Sequence, residues 1–124
     1  MRVLVCGGRD FGERSKAPLG SFQFIEDSRR IVAQRELLDR VLSEQCPTGH
    51  EIIIHGAARG ADRQVDMWAR KRRQKVMSFP ADWYPNGRSA GMDRSAGPKR
   101  NQRMIDEGKP DLVVAFPGGK GTED

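Results

Sequence analysis

Four short apolar runs separated by three helical patterns predict an α/β fold, a Rossmann-like three-layer α/β/α sandwich on a mostly parallel sheet. Two further observations support this. Three of the four runs end in glycines, and no internal repeat or linker divides the chain, so residues 1–124 read as one domain. A chain of this size can bury one core between a sheet and its flanking helices.

The elements follow in order. Arg2-Val3-Leu4-Val5-Cys6, stopped by Gly7-Gly8, reads as a buried first strand. From Phe11 to Asp27 the glycines and Pro18 come without a period, which predicts a loop, long enough to be functional or mobile. A helix is expected from about Ser28 to Glu44, because Ile31, Leu38, Val41 and Leu42 share one face; Pro47-Thr48-Gly49 ends it. Glu51-Ile52-Ile53-Ile54-His55, rich in β-branched residues, is the second strand. Gly56 to Gly60 turn the chain, and Ala61, Val65, Trp68, Ala69 and Arg72 mark a second amphipathic helix. Val76-Met77-Ser78-Phe79, stopped by Pro80, is the third strand. Trp83 to Gly97 is glycine-rich loop; Pro98 opens a third helix that runs to about Glu107 and stops at Gly108. Leu112-Val113-Val114-Ala115-Phe116 is the fourth strand, and the chain closes with Pro117 to Asp124.

Composition narrows the class of function. Apolar residues make up 36% of the chain and charged residues 31%, the balance of a globular protein. No apolar run nears the roughly 20 residues that span a bilayer, and the start of the chain lacks a signal-peptide core, so no membrane partner and a cytoplasmic location are expected. Cys6 and Cys46 form neither a disulfide framework nor a CxxC motif, and Cys6 reads as a small buried hydrophobe. His50 and His55 are isolated, so no metal site is expected. The net charge of +5 is uneven: Arg59 to Arg103 hold twelve Lys/Arg against four Asp/Glu, a balance that suits an anionic partner.

Chemistry is expected at the strand ends. In a parallel sheet all carboxyl ends share one edge, and ligands bind where the strand order reverses. An order 3-2-1-4 would set Gly7-Gly8 and the Gly118–Gly121 loop on either side of that point, with Gly56 and Gly60 beside them. Glycine lets backbone amides approach and point at a phosphate, above all where a helix begins. Arg9, Asp10, Arg59, Asp62, Lys99, Arg100 and Asn101 flank these loops as candidate contacts, Asp62 reading equally as a helix cap. His55 reads as an orienting residue, and Trp83 and Tyr84 as half-buried packing with base stacking as the alternative. The spacing in Gly118-Gly119-Lys120-Gly121-Thr122 is not that of a Walker A loop, and no GxGxxG follows the first strand; neither an ATPase nor a dehydrogenase is expected.

Five motifs carry a resemblance: GGRDF at Gly7–Phe11, HGAARGAD at His55–Asp62, FPADW at Phe79–Trp83, AGPKRNQRM at Ala96–Met104 and AFPGGKGT at Ala115–Thr122. In this order they resemble the YspA family (YpsA-related) of the SLOG superfamily, over nearly the whole chain. The resemblance implies a Rossmann-like domain that binds a nucleotide or nucleotide-derived ligand, with NAD derivatives among the cofactor-like candidates. It implies that Gly118, Gly119, Gly121 and Thr122 form a phosphate loop, that Arg100 and Asn101 are the family's Arg-Asn pair, and that Gly56, Arg59, Gly60 and Asp62 form its second-strand loop. The superfamily also holds the LOG phosphoribohydrolases and the DNA-processing protein DprA. The LOG enzymes carry a catalytic glutamate three residues after the loop threonine; here Thr122 is followed by Glu123 and Asp124 alone.

The leading expectation is therefore a nucleotide-binding domain in a sensor or accessory role. The alternatives are an N-glycosidase of the LOG kind, with Asp10, Asp62 and Glu123 as candidate carboxylates, and a nucleic-acid-binding module of the DprA kind. Since the family pattern continues into a C-terminal helix missing here, apolar surface around the fourth strand is expected to lie bare, and a homodimer to cover it.

Overall fold

The computed structural model describes residues 1–117. They form β1 (Arg2–Gly7), α1 (Phe22–Gln45), β2 (Ile52–His55), α2 (Ala61–Lys71), β3 (Lys75–Ser78), a 3₁₀ turn (Arg88–Ala90), α3 (Ala96–Asp106) and β4 (Leu112–Phe116). The four strands pair in parallel in the order β3-β2-β1-β4, the order expected from the sequence. The register runs Val3↔Ile53 between β1 and β2 and Gly7↔Phe116 between β1 and β4.

Side chains alternate across a strand, so the sheet has two distinct faces. Val3, Val5 and Ile53 point to one, where they pack with Leu38 and Leu42 of α1 and Val65 and Trp68 of α2. Leu4 and Ile54 point to the other, where Met104 of α3 and Phe79 cover them. Helices on both faces make the three-layer α/β/α arrangement of the Rossmann-like class. Val113 and Ala115 lie in register with Leu4 and Cys6 and so share the α3 face; Val113 is 57% exposed there.

The sequence reading misplaces several boundaries. α1 begins at Phe22, six residues before the expected start, because the Ser21 hydroxyl caps the helix by accepting the Phe24 amide at 3.2 Å. Phe22 and Ile25 on this first turn are exposed, so no apolar stripe announces it. The expected 11–27 loop shrinks accordingly, and its first residue, Phe11, is fully buried with its ring 5.3 Å from that of Phe116. β3 sits one residue earlier than expected, α3 begins at Ala96, and the 83–97 stretch contains the Arg88–Ala90 turn. Cys6, expected inside, is half-buried, because it faces the thinly covered side of the sheet; Cys46 is the buried one.

Candidate functional site

The site begins with the backbone between β1 and α2. Gly60, at the start of α2, has φ +80°, and a Cβ there would lie 2.3 Å from the Gly8 carbonyl oxygen. Only glycine fits. A Cβ on Gly7 would meet the Cβ of Ala61 at 2.6 Å. These two glycines let the loop after β1 press against the start of α2, and the Ala61 amide donates to Gly8 O at 3.1 Å. Both glycines thus serve close backbone packing.

The β2–α2 loop is held from within. The Asp62 carboxylate accepts the amides of Gly56 at 3.1 Å and Ala58 at 3.2 Å. It therefore clamps the loop and does not cap α2, whose N-cap is Gly60 with no side-chain bond. His55, 3% exposed, accepts the Ala57 amide at Nδ1 and faces Asp66 Oδ1 through Nε2 at 2.9 Å, which puts its proton on Nε2. The Gly60 amide goes to Glu13 Oε1 at 3.1 Å. Most amides of this loop are thus spent inside the protein, so charge for an anion must come largely from side chains.

Those side chains converge at the carboxyl ends of β1 and β4, where the strand order reverses. A cleft of about 890 Å³ opens there, lined among others by Cys6, Gly7, Gly8, Arg9, Asp10, Arg59, Asp62, Arg100, Asn101, Met104 and Ala115. Arg9, Ala58, Arg59 and Arg100 also border a second hollow of about 810 Å³, with Gly56, Ala57, Pro80, Ala81, Trp83, Tyr84 and Met92 on its walls. Arg9, Arg59 and Arg100 thus form the shared border, or ridge, of the two lobes.

The ridge is electrostatically tense. The Arg100 guanidinium donates to Gly56 O and, through Nε, to Asn101 Oδ1 at 2.8 Å. Burial lowers its pKa, and the neighbouring Arg9 charge adds to that, against the attraction of Asp62. Arg9 is exposed and has neither a hydrogen bond nor an ion pair among the described residues. Arg59 lies 3.8 Å from Asp10, both well exposed, a pair worth little in water. An anion on the ridge would relieve this repulsion. Beside it, burial pushes the Asp62 carboxyl above its usual range, although the two loop amides oppose the shift.

Of the expected contacts, Gly7, Gly8, Arg9, Asp10, Arg59, Asp62, Arg100 and Asn101 line the first lobe and Gly56 the second, while Gly60 supports the loop from behind. Lys99 turns away to Asp93 at 2.9 Å. Gly118, Gly119, Gly121, Thr122 and Glu123 lie outside the described residues. The sequence reading missed Glu13 and Asp66. Asp66 had a signal, since it stands one helical turn after Asp62 on the same face; Glu13, inside an aperiodic stretch, had none. Among the described residues no three metal-ligating side chains come together, and no helix is long and apolar enough to cross a membrane.

Comparison with known proteins agrees with the motifs. The Gene 61 protein of Mycobacterium phage D29 is 36% identical over 74 residues, a match that covers 56% of this chain and 54% of that protein; the chain thus spans about half the length of this relative. No solved structure matches. The sequence model of one family matches residues 1–84, from the start of β1 through Trp83 and Tyr84. The chain belongs to the YspA, cpYpsA-related SLOG family.

Proposed function

We propose that this chain binds a nucleotide or nucleotide-derived molecule, NAD derivatives included, with its phosphate on the ridge of Arg9, Arg59 and Arg100. The observation that carries the reading is that three arginines, one of them half-buried, line the cleft at the switch point of a parallel sheet. β4 brings the chain to the same rim at Phe116, in register with Gly7, and Gly118, Gly119, Gly121 and Thr122 are proposed to add amides and a hydroxyl to the phosphate. The role is that of a sensor or accessory domain.

One observation favours a second reading, cleavage of an N-glycosidic bond. The Asp62 carboxyl borders the first lobe, and burial raises its pKa, the direction that suits a carboxyl acting as a proton donor. Asp10 is exposed and has no comparable environment.

Calorimetric titration with AMP and ADP-ribose tests the main reading. Arg9→Gln removes a guanidinium that supports nothing else among the described residues, so the fold should survive while affinity falls about 10-fold. Absence of binding by the unaltered protein, or unchanged affinity in Arg9→Gln, would overturn the phosphate assignment. Release of free base from AMP, lost in Asp62→Asn, would establish the second reading instead. Affinity for DNA that drops steeply with salt would favour a nucleic acid backbone as the anion.

A further inference from the structure

We propose that the hollow behind the arginine ridge is a stacking subsite for a purine base, so that the ligand is a purine nucleotide rather than a phosphorylated sugar. The inference rests on the phosphate reading above and names what lies on the other side of the ridge. Its first support is continuity. Arg9, Arg59 and Arg100 border both lobes, so a molecule with its phosphate on the ridge extends into one lobe or the other.

The two lobes differ in chemistry. The first offers Asp10, Asp62 and Asn101, groups that suit hydroxyls. The second is walled by Pro80, Trp83, Tyr84 and Met92, with Met92 52% exposed at its edge. Flat aromatic groups beside guanidinium groups match a ligand that is both planar and anionic, which an apolar peptide or an acyl chain is not.

Trp83 is held in place without being used up. Its carbonyl accepts the Asp93 amide at 2.7 Å, and its ring edge packs over Gly97, where a Cβ would sit 3.4 Å away. The indole N–H makes no hydrogen bond among the described residues, which leaves a donor for the edge of a base. Arg88 lies over the Tyr84 ring at 4.8 Å, so that ring too is positioned beforehand. Packing alone would spend the indole on the core, as happens to Trp68, 6% exposed with its N–H on Asp39. A volume of about 810 Å³ is ample for a purine.

The experiment compares AMP with ribose 5-phosphate on the full chain, by calorimetry and by tryptophan fluorescence. AMP should bind about 10-fold or more tightly than ribose 5-phosphate, because base–aromatic stacking contributes at that level. AMP should also quench emission, and Trp83→Ala should abolish the quench. That variant should bring AMP down to the affinity of ribose 5-phosphate while ribose 5-phosphate itself is unchanged. Trp83→Phe, which keeps a ring against Gly97, should retain most of the preference, and Met92→Ala should lose about 2- to 3-fold. Equal affinity for the two ligands, or an equal loss of both in the Trp83 variants, would overturn the stacking subsite and leave the phosphate reading standing. Binding of neither ligand would overturn both.

Discussion

The two faces of the sheet are built differently. On the face of α1 and α2 twelve buried residues form one cluster that reaches from Cys46 to Phe116. On the face of α3 the corresponding cluster has four, and Val113 and Ala115 of the edge strand lie exposed beside it. The cleft opens toward the thin side, as its lining by Cys6, Met104 and Ala115 shows. Stability and the cavity are thus divided between the faces. The dense face anchors the loops after β1 and β2 through Phe11 and Ala61, and the thin face supplies the room that Arg9, Asp10 and Arg59 border. A ligand site made in this way uses a shortfall of packing rather than a hole cut in the core.

Phe11→Ala should break the comparison most strongly. Phe11 is fully buried and joins the loop after β1 to β4 through Phe116. Its loss should cost about 3–5 kcal/mol of stability, read as a lower denaturation midpoint in urea with an unchanged slope. It should also weaken ligand binding, because the buried ring anchors the loop that carries Arg9 against Phe116. A cost below about 1.5 kcal/mol would mean that the dense face does not depend on this loop.

Met104→Ala sharpens the same contrast from the other side. Met104 is the contribution of α3 to the small cluster, and it also borders the cleft. The vacated volume opens onto solvent rather than closing as a void, so the cost should fall near the lower end for such changes, about 2 kcal/mol. A loss as large as that of Phe11→Ala, in the same urea titration, would show the thin face to be as tightly coupled as the dense one.

Much of this architecture was legible in the sequence, for reasons that particular residues make plain. Ile52-Ile53-Ile54 and Val3-Leu4-Val5 could only be buried strands, and strands alternating with helices leave few parallel arrangements. The residues that line the cleft could be named because strand-end loops must lie on one edge. What escaped depended on tertiary context. Phe11 sits in a stretch without period, and its burial is decided by Phe116, more than a hundred residues away. The first turn of α1 carries exposed apolar side chains, so capping by Ser21 sets its start and not amphipathicity. Asp62 could equally cap a helix or hold a loop; only the folded loop, which brings the Gly56 and Ala58 amides to its carboxylate, decides between them.

The smallest expected effect concerns a charge on the dense side. Asp27, 2% exposed, accepts the Ser15 hydroxyl at 2.6 Å, the Ser15 amide at 3.0 Å and the Gln23 amide group at 3.0 Å, with Arg30 3.5 Å away. The Ser15 and Gln23 hydrogen bonds hold its carboxyl down at about 2. Asp93 ties the loop on the thin side in the same way, through Ser95 and Lys99, and it too lies at about 2. A carboxylate whose pKa is lower in the folded state stabilises the fold above the unfolded value near 4, and that contribution is lost as pH falls toward 2. Asp62, raised by burial, has the opposite sign and offsets part of the loss. Asp27→Asn should therefore lower stability at neutral pH and flatten its decline between about pH 4 and pH 2, in urea melts taken across that range. An acid limb as steep as that of the unaltered protein would assign the loss to the other carboxylates held low, Asp93 and Glu51 at about 2 and Asp39 and Asp66 below their usual range.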